Sequence, residues 1–127
     1  MEDSTPRALI VDDDSSLSHM MWRCLAMWGW EADESHSVSE ALGLFKREQY
    51  DLALCDVDLP DGNGIHLAKA LSRVNPNLLV VLVSGNPANV AQAREAGFDR
   101  SLQKPFDLDA LKVLIAPRRS VGELVRH

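Results

Sequence analysis

Three short, unbroken apolar runs most constrain how this chain can fold: residues 8–11 (ALIV), 52–55 (LALC) and 78–83 (LLVVLV). Each is too short for a core helix and has no polar residue alternating along it. Such runs read as strands buried on both faces, as in a parallel sheet covered by helices on either side. Weaker strand candidates lie at 31–35 and 99–102. Blocks with helical spacing separate these runs, so apolar and amphipathic segments alternate at least five times. That alternation predicts a single α/β domain of (βα)5 type.

The helical blocks carry their own punctuation. After Ser15 and Ser16, both good N-caps, Leu17, Met20, Met21, Cys24, Leu25 and Trp28 recur on one face, and Gly29 supplies a stop. Ser37-Val38-Ser39-Glu40 is a capping box opening a helix with Val38, Ala41, Leu42 and Phe45 on one face. A third helix presents Leu67, Ala68, Leu71 and Val74 and ends near Asn75-Pro76-Asn77. A fourth begins at Pro87 and stops at Gly97, and a fifth buries Leu108, Leu111 and Ile115. Trp22 and Met27 fall off the first helix's apolar stripe and are expected to be exposed. The expected organisation is a tail over 1–6, one domain over 7–116, and an extension or start of a linker over 117–127, where Pro117-Arg118-Arg119-Ser120 interrupts the pattern.

Bulk properties narrow the function classes. The 127 residues carry a formal net charge of −6 and a pI of about 5.1, without the basic footprint of a nucleic-acid binder. No apolar run approaches the roughly 20 residues needed to span a bilayer, and the start, MEDSTPR, is unlike a secretory signal. Cys24 and Cys55 lack the spacing of a zinc or redox motif. These features together point to a reducing, cytoplasmic setting.

In an open parallel sheet, ligands bind at the carboxyl ends of the strands. The polar residues that follow each predicted strand are therefore the candidates. The first strand leads into Asp12-Asp13-Asp14, the third into Asp56, the fourth into Ser84 and the fifth into Lys104. Taken singly, Asp14 or Asp61 could be no more than a helix cap, and Ser-Gly and Lys-Pro are ordinary loop dipeptides. Their coincidence at successive strand ends makes a site. Clustered carboxylates need a cation, and hard oxygens suit Mg²⁺, which takes one or two carboxylates and keeps waters for phosphate oxygens. A nearby ammonium and a small hydroxyl can hold a phosphoryl group, with Asp56 as a nucleophile forming an aspartyl-phosphate.

The segments LIVDDD, DLALCDVDLPDGNG, VLVSG, EAGFD and LQKPF, in this order, resemble the receiver domain of bacterial two-component response regulators, from about Arg7 to Ala116. The resemblance implies a flavodoxin-like fold with a five-stranded parallel sheet of order 2-1-3-4-5. It implies that Asp56 accepts a phosphoryl group from a phosphohistidine of a sensor kinase or histidine phosphotransfer protein. Asp12 and Asp13 would hold Mg²⁺, one directly and one through water, with Asp56 and the Asp58 backbone carbonyl as further ligands. Ser84 would bond the phosphoryl group and Lys104 would pair with it. Pro60 and Gly64 would shape the loop after Asp56, and Pro105 would hold Lys104 in a cis-proline turn. Asp58 and Asn86 match positions that tune dephosphorylation. An effector domain beyond residue 127 and a phosphorylation-linked dimer are further implications, with no direct contact of this domain to nucleic acid or membrane. Such a domain is not an enzyme in the ordinary sense, since it catalyses only its own phosphorylation and dephosphorylation.

One departure matters. Three residues before the lysine the family places Tyr or Phe, whose inward rotation reports phosphorylation; here it is Ser101, which cannot fill the same cavity. Either phosphorylation is read through the segment 86–97 and Arg100, or the domain relays or drains phosphate. Two rival readings are a phosphorylation-independent pseudo-receiver that serves as an interaction module, and a haloacid-dehalogenase-like phosphatase with Asp56 as nucleophile and Asp58 as general acid. The first has no use for unpaired clustered charges; the second expects its D-x-D on the first strand.

Overall fold

The computed structural model describes residues 5–116; the expectations for the extension at 117–127 and for most of the N-terminal tail lie outside the described residues. Five strands, β1 (Arg7–Val11), β2 (Glu31–Ser35), β3 (Leu52–Asp56), β4 (Leu79–Ser84) and β5 (Ser101–Gln103), form one sheet of order β2-β1-β3-β4-β5 with every pairing parallel. The helices between and after them are α1 (Ser15–Met27), α2 (Val38–Arg47), α3 (Gly64–Val74), α4 (Pro87–Glu95) and α5 (Leu108–Leu114). A small antiparallel hairpin pairs Asp58–Leu59 with Gly62–Asn63 directly after β3.

The unbroken apolar strands follow from burial on both faces. One face of the sheet, with Leu9, Val11, Ala53, Cys55 and Leu82, packs on Ala41 of α2, on Leu67, Ala68 and Leu71 of α3, and on Ala93 of α4. The other, with Ala8, Ile10, Leu54, Val81 and Val83, packs on Met21 and Leu25 of α1 and Leu111 of α5. Every residue of the central strand β3 is buried. Register then sets the functional rim. Val11 pairs with Cys55, Asp56 with Val83, and Ser84 with Gln103. Asp12, Asp56, Ser84 and Lys104 are thereby brought to one end of the sheet.

Several local expectations change. Asp14, rather than Ser15 or Ser16, caps α1: its Oδ1 accepts from the backbone N–H of Ser16 at 3.0 Å and of Leu17 at 3.2 Å, while the two serines lie in the first turn. Ser37 caps α2 as expected, its Oγ accepting from the Glu40 N–H at 3.1 Å, and Asp61 supplements it, reaching across to the N–H groups of Val38 and Ser39. Asn63 caps α3. Met20, Leu42 and Leu108 are each more than a third exposed, and Val74 is 75% exposed. The stripes read from spacing are wider than the face the sheet covers. Trp22 and Met27 are exposed as expected, Met27 at 77% and Trp22 at 37%, and Trp22 donates its indole N–H to the Ala32 carbonyl at 2.9 Å. Strand β5 starts at Ser101 rather than at 99, and β4 runs one residue later at each end than the apolar run at 78–83.

Two glycines test this packing in opposite directions. A Cβ on Gly64 would fall on the Asp56 carbonyl oxygen, whereas one on Gly43, inside α2, meets nothing. Gly64→Ala should cost about 1–3 kcal/mol through overpacking. Gly43→Ala should add about 0.5–1 kcal/mol through helix propensity. Urea denaturation midpoints of the two variants check both.

Candidate functional site

Asp12 sits one residue beyond β1, 1% exposed, and its Oδ1 accepts from the backbone N–H of Asp14 at 2.9 Å. Asp56 ends β3, also buried, with Oδ1 accepting from the N–H of Asp58 at 3.2 Å. Lys104 reaches in from beyond β5 and places its Nζ 3.1 Å from Asp12 Oδ2 and 3.2 Å from Asp56 Oδ2, bridging the two carboxylates. Its backbone N–H donates to the Ser84 carbonyl at 2.8 Å, and the Lys104–Pro105 peptide is cis. Asp13 is exposed beside them.

The electrostatics are unbalanced. Burial pushes the Asp56 carboxyl above its ordinary range; Lys104 pulls it back, and the neighbouring Asp12 pushes it up again, leaving it raised. Burial alone would lower the Lys104 ammonium, but its pairing with Asp12 and Asp56 outweighs this and leaves it raised. Asp12, Asp13 and Asp56 each offer a carboxylate oxygen, all within 4.8 Å of one another. An octahedral hard cation with bonds of about 2.1 Å needs oxygens roughly 3–4 Å apart, so small rotations of these side chains suffice. A site of three carboxylates and one ammonium has room, donors and charge for a divalent cation.

Ser84 is fully buried at the end of β4, and its Oγ accepts from the Asn86 backbone N–H at 3.0 Å and from Asn89 Nδ2 at 2.9 Å. The same Nδ2 donates to Asp58 Oδ2 at 3.1 Å. Asn89 was not among the residues singled out from the sequence. The available signal was its place one helical turn after Asn86, which puts both on the same side of α4. Asn86 itself caps α4, its side chain accepting from the Ala88 N–H at 2.9 Å.

Other singled-out residues lie apart from this rim or shape its edge. Ser101 opens β5, partly buried and paired with Leu82, while Arg100 faces Asp99 at 3.8 Å. Pro60 lies exposed in the turn of the hairpin, and Gly64 packs its Cα against the Asp56 carbonyl. Of the four histidines, none of which is a candidate for the site, His19 lies 3.2 Å from Glu34 and stacks on Trp22, and His36 faces Glu40. His66 lies exposed on α3, and His127 falls outside the described residues. Cys24 and Cys55 are buried free thiols.

The doubly wound sheet and its acidic rim define a class, and the comparisons agree with it. Residues 8–116 match the response regulator receiver domain, and the chain belongs to this family, the phosphoacceptor domains of two-component systems. It is 34% identical over 115 residues to the response regulator protein PilR of Pseudomonas aeruginosa, covering 89% of this chain and 26% of PilR. The non-phosphorylated HemR receiver domain of Leptospira biflexa superposes with a TM-score of 0.77 at 28% identity, covering 90% of this chain and 97% of that one. The response regulator TrrA of Thermotoga maritima, solved in complex with Mg²⁺-BeF, gives 0.76 at 25% identity, covering 94% and 98%. The chain spans about a quarter to a half of the length of the curated relatives it matches. The D-x-D likeness to haloacid-dehalogenase-like phosphatases does not survive this match, since Asp56 ends the third strand, not the first.

The raised carboxyl of Asp56 makes a stability prediction. Between its ordinary value of 3.8 and the raised one, the folded domain holds a proton that the unfolded chain has lost, so stability falls as pH rises through that window. In EDTA, Asp56→Asn, which cannot ionise, should therefore be more stable than the wild type at neutral pH. The difference should vanish below pH 3.8. Guanidinium denaturation across pH measures it.

Proposed function

We propose that the domain spanning 7–116 accepts a phosphoryl group on Asp56 from a phosphohistidine of a sensor kinase or histidine phosphotransfer protein. The observation that carries this reading is Lys104 Nζ bridging the buried Asp12 and Asp56 carboxylates, with the Ser84 hydroxyl at the end of the next strand. A carboxylate oxygen of Asp56 attacks the phosphorus; the new P–O bond forms as the P–N bond breaks, and the bonding pair leaves on the imidazole nitrogen. The Lys104 ammonium and the Ser84 O–H meet the negative charge on the transferring oxygens, which is the main help that phosphoryl transfer asks of a protein. Asp12, Asp13 and Asp56, with the Asp58 backbone carbonyl, would hold Mg²⁺, which when bound neutralises charge on the phosphoryl oxygens.

Hydrolysis returns the domain to its resting state. Water attacks the phosphorus, the bond to the Asp56 oxygen breaks, and inorganic phosphate and the carboxylate are released. Asp58 and Asn86 flank that approach and set its rate. The domain acts as a signalling phosphoacceptor in the cytoplasm, catalysing only its own phosphorylation and dephosphorylation. Among the described residues no helix is long and apolar enough to cross a membrane. Its output passes to an effector domain beyond residue 127 or to a phosphorylation-linked dimer. With Ser101 in place of an aromatic, the output leaves through the segment 86–97 and Arg100.

Acetyl phosphate with Mg²⁺ provides the test. The wild type should gain one phosphoryl group by intact mass and Asp56→Asn none, while Ser84→Ala should react on the order of 10²-fold more slowly. A wild type that stays unmodified would leave a phosphorylation-independent interaction module as the reading.

A further inference from the structure

We infer that Asn89 is a positioning residue for phosphoryl transfer: its side-chain amide fixes the Ser84 hydroxyl as a donor and couples α4 to that hydroxyl. This inference rests on the reading of Asp56 as the phosphoacceptor. The amide of Asn89 has two N–H groups, and Nδ2 lies 2.9 Å from Ser84 Oγ and 3.1 Å from Asp58 Oδ2, so each proton has an acceptor. Ser84 Oγ also accepts the Asn86 N–H at 3.0 Å. A hydroxyl has two lone pairs and one proton. With both lone pairs engaged, the proton is left to donate, and a phosphoryl oxygen offers only acceptors. Loss of the Asn89 bond would free one lone pair and let the hydroxyl turn.

The same bonds bear on α4. Within this helix only Ala93 is buried, so little apolar packing holds it to the sheet. Asn86 and Asn89 tie its N-terminal end to Ser84, and Asn89 ties it also to Asp58 in the hairpin that follows Asp56. A change in the hydrogen bonding of Ser84 when a phosphoryl group arrives reaches α4 through these bonds, with no aromatic at position 101 required.

A double-mutant cycle separates this role from a merely structural one. Phosphorylation of Asp56 by acetyl phosphate with Mg²⁺ is followed by intact mass in the wild type, Asn89→Ala, Ser84→Ala and the double variant, and Mg²⁺ affinity is measured by direct titration. Asn89→Ala should slow phosphorylation on the order of tenfold, the worth of one hydrogen bond, and leave Mg²⁺ affinity within about twofold. Its melting temperature should change little, because the better helix propensity of Ala offsets the two side-chain hydrogen bonds lost. In the Ser84→Ala background the same substitution should add nothing. Asn89→Asp keeps the shape but cannot donate, and its carboxylate would face Asp58, so it should be slower than Asn89→Ala. Amide exchange in α4 should be faster in Asn89→Ala than in the wild type. Multiplicative effects in the cycle, an Asn89→Asp variant as fast as the wild type, or unchanged α4 exchange would overturn the inference. A wild type that takes up no phosphoryl group would overturn both it and the reading of Asp56, whereas a reactive wild type matched by Asn89→Ala would sink the role of Asn89 alone.

Discussion

Two buried carboxylates held 3.1 and 3.2 Å from one ammonium are the constraint around which this domain is arranged. Lys104 joins the ends of β1, β3 and β5, elements far apart in sequence, and its own backbone is pinned to Ser84 at the end of β4. Removing such charges from water costs several kcal/mol per ion, and apolar residues of similar size would often be at least as stabilising. The raised carboxyl of Asp56 shows that the single ammonium does not finish the compensation. The cluster is therefore poorly explained as a device for stability, and its uncompensated charge suits the proposed reading of a phosphoacceptor site.

The scaffold can carry this cost because the sheet is buried on both faces and in register. Parallel pairing aligns the carboxyl ends of β1, β3 and β4, and the two-layer cover by α2, α3 and α4 on one side and α1 and α5 on the other holds them there. The rim loops also start the helices. Asp14 caps α1, Ser37 caps α2 with Asp61 adding bonds from the hairpin, Asn63 caps α3 and Asn86 caps α4. Acidic residues around the site thus divide into two groups: Asp12, Asp13 and Asp56 converge on one point, whereas Asp14 and Asp61 spend their oxygens on backbone N–H groups.

In the proposed reading, the output does not take the family's usual aromatic route. Ser101 cannot make the aromatic rearrangement, and α4 offers little apolar surface to anchor it. Its connection to the site is polar, through Asn86 and Asn89. Polar connections of this kind are short-ranged and directional, so they transmit a change of hydrogen-bond partner without a large repacking of the core.

Sequence alone determined the features whose signals are local. Unbroken apolar runs marked the strands, helical spacing and capping residues marked the helices, and the polar residue after each strand named Asp12, Asp56, Ser84 and Lys104. Those signals lie within a few residues of one another, where chain geometry dictates what faces what. Tertiary structure decided the rest. That Asp61 reaches the first N–H groups of α2, that Asn89 reaches both Ser84 and Asp58, and that Val74 stays in solvent while Trp22 finds the Ala32 carbonyl all depend on two elements meeting at a particular register and angle. The spacing of residues along one helix carries no information about where a neighbouring strand or loop ends, and a side chain's partner is chosen only when both are in place.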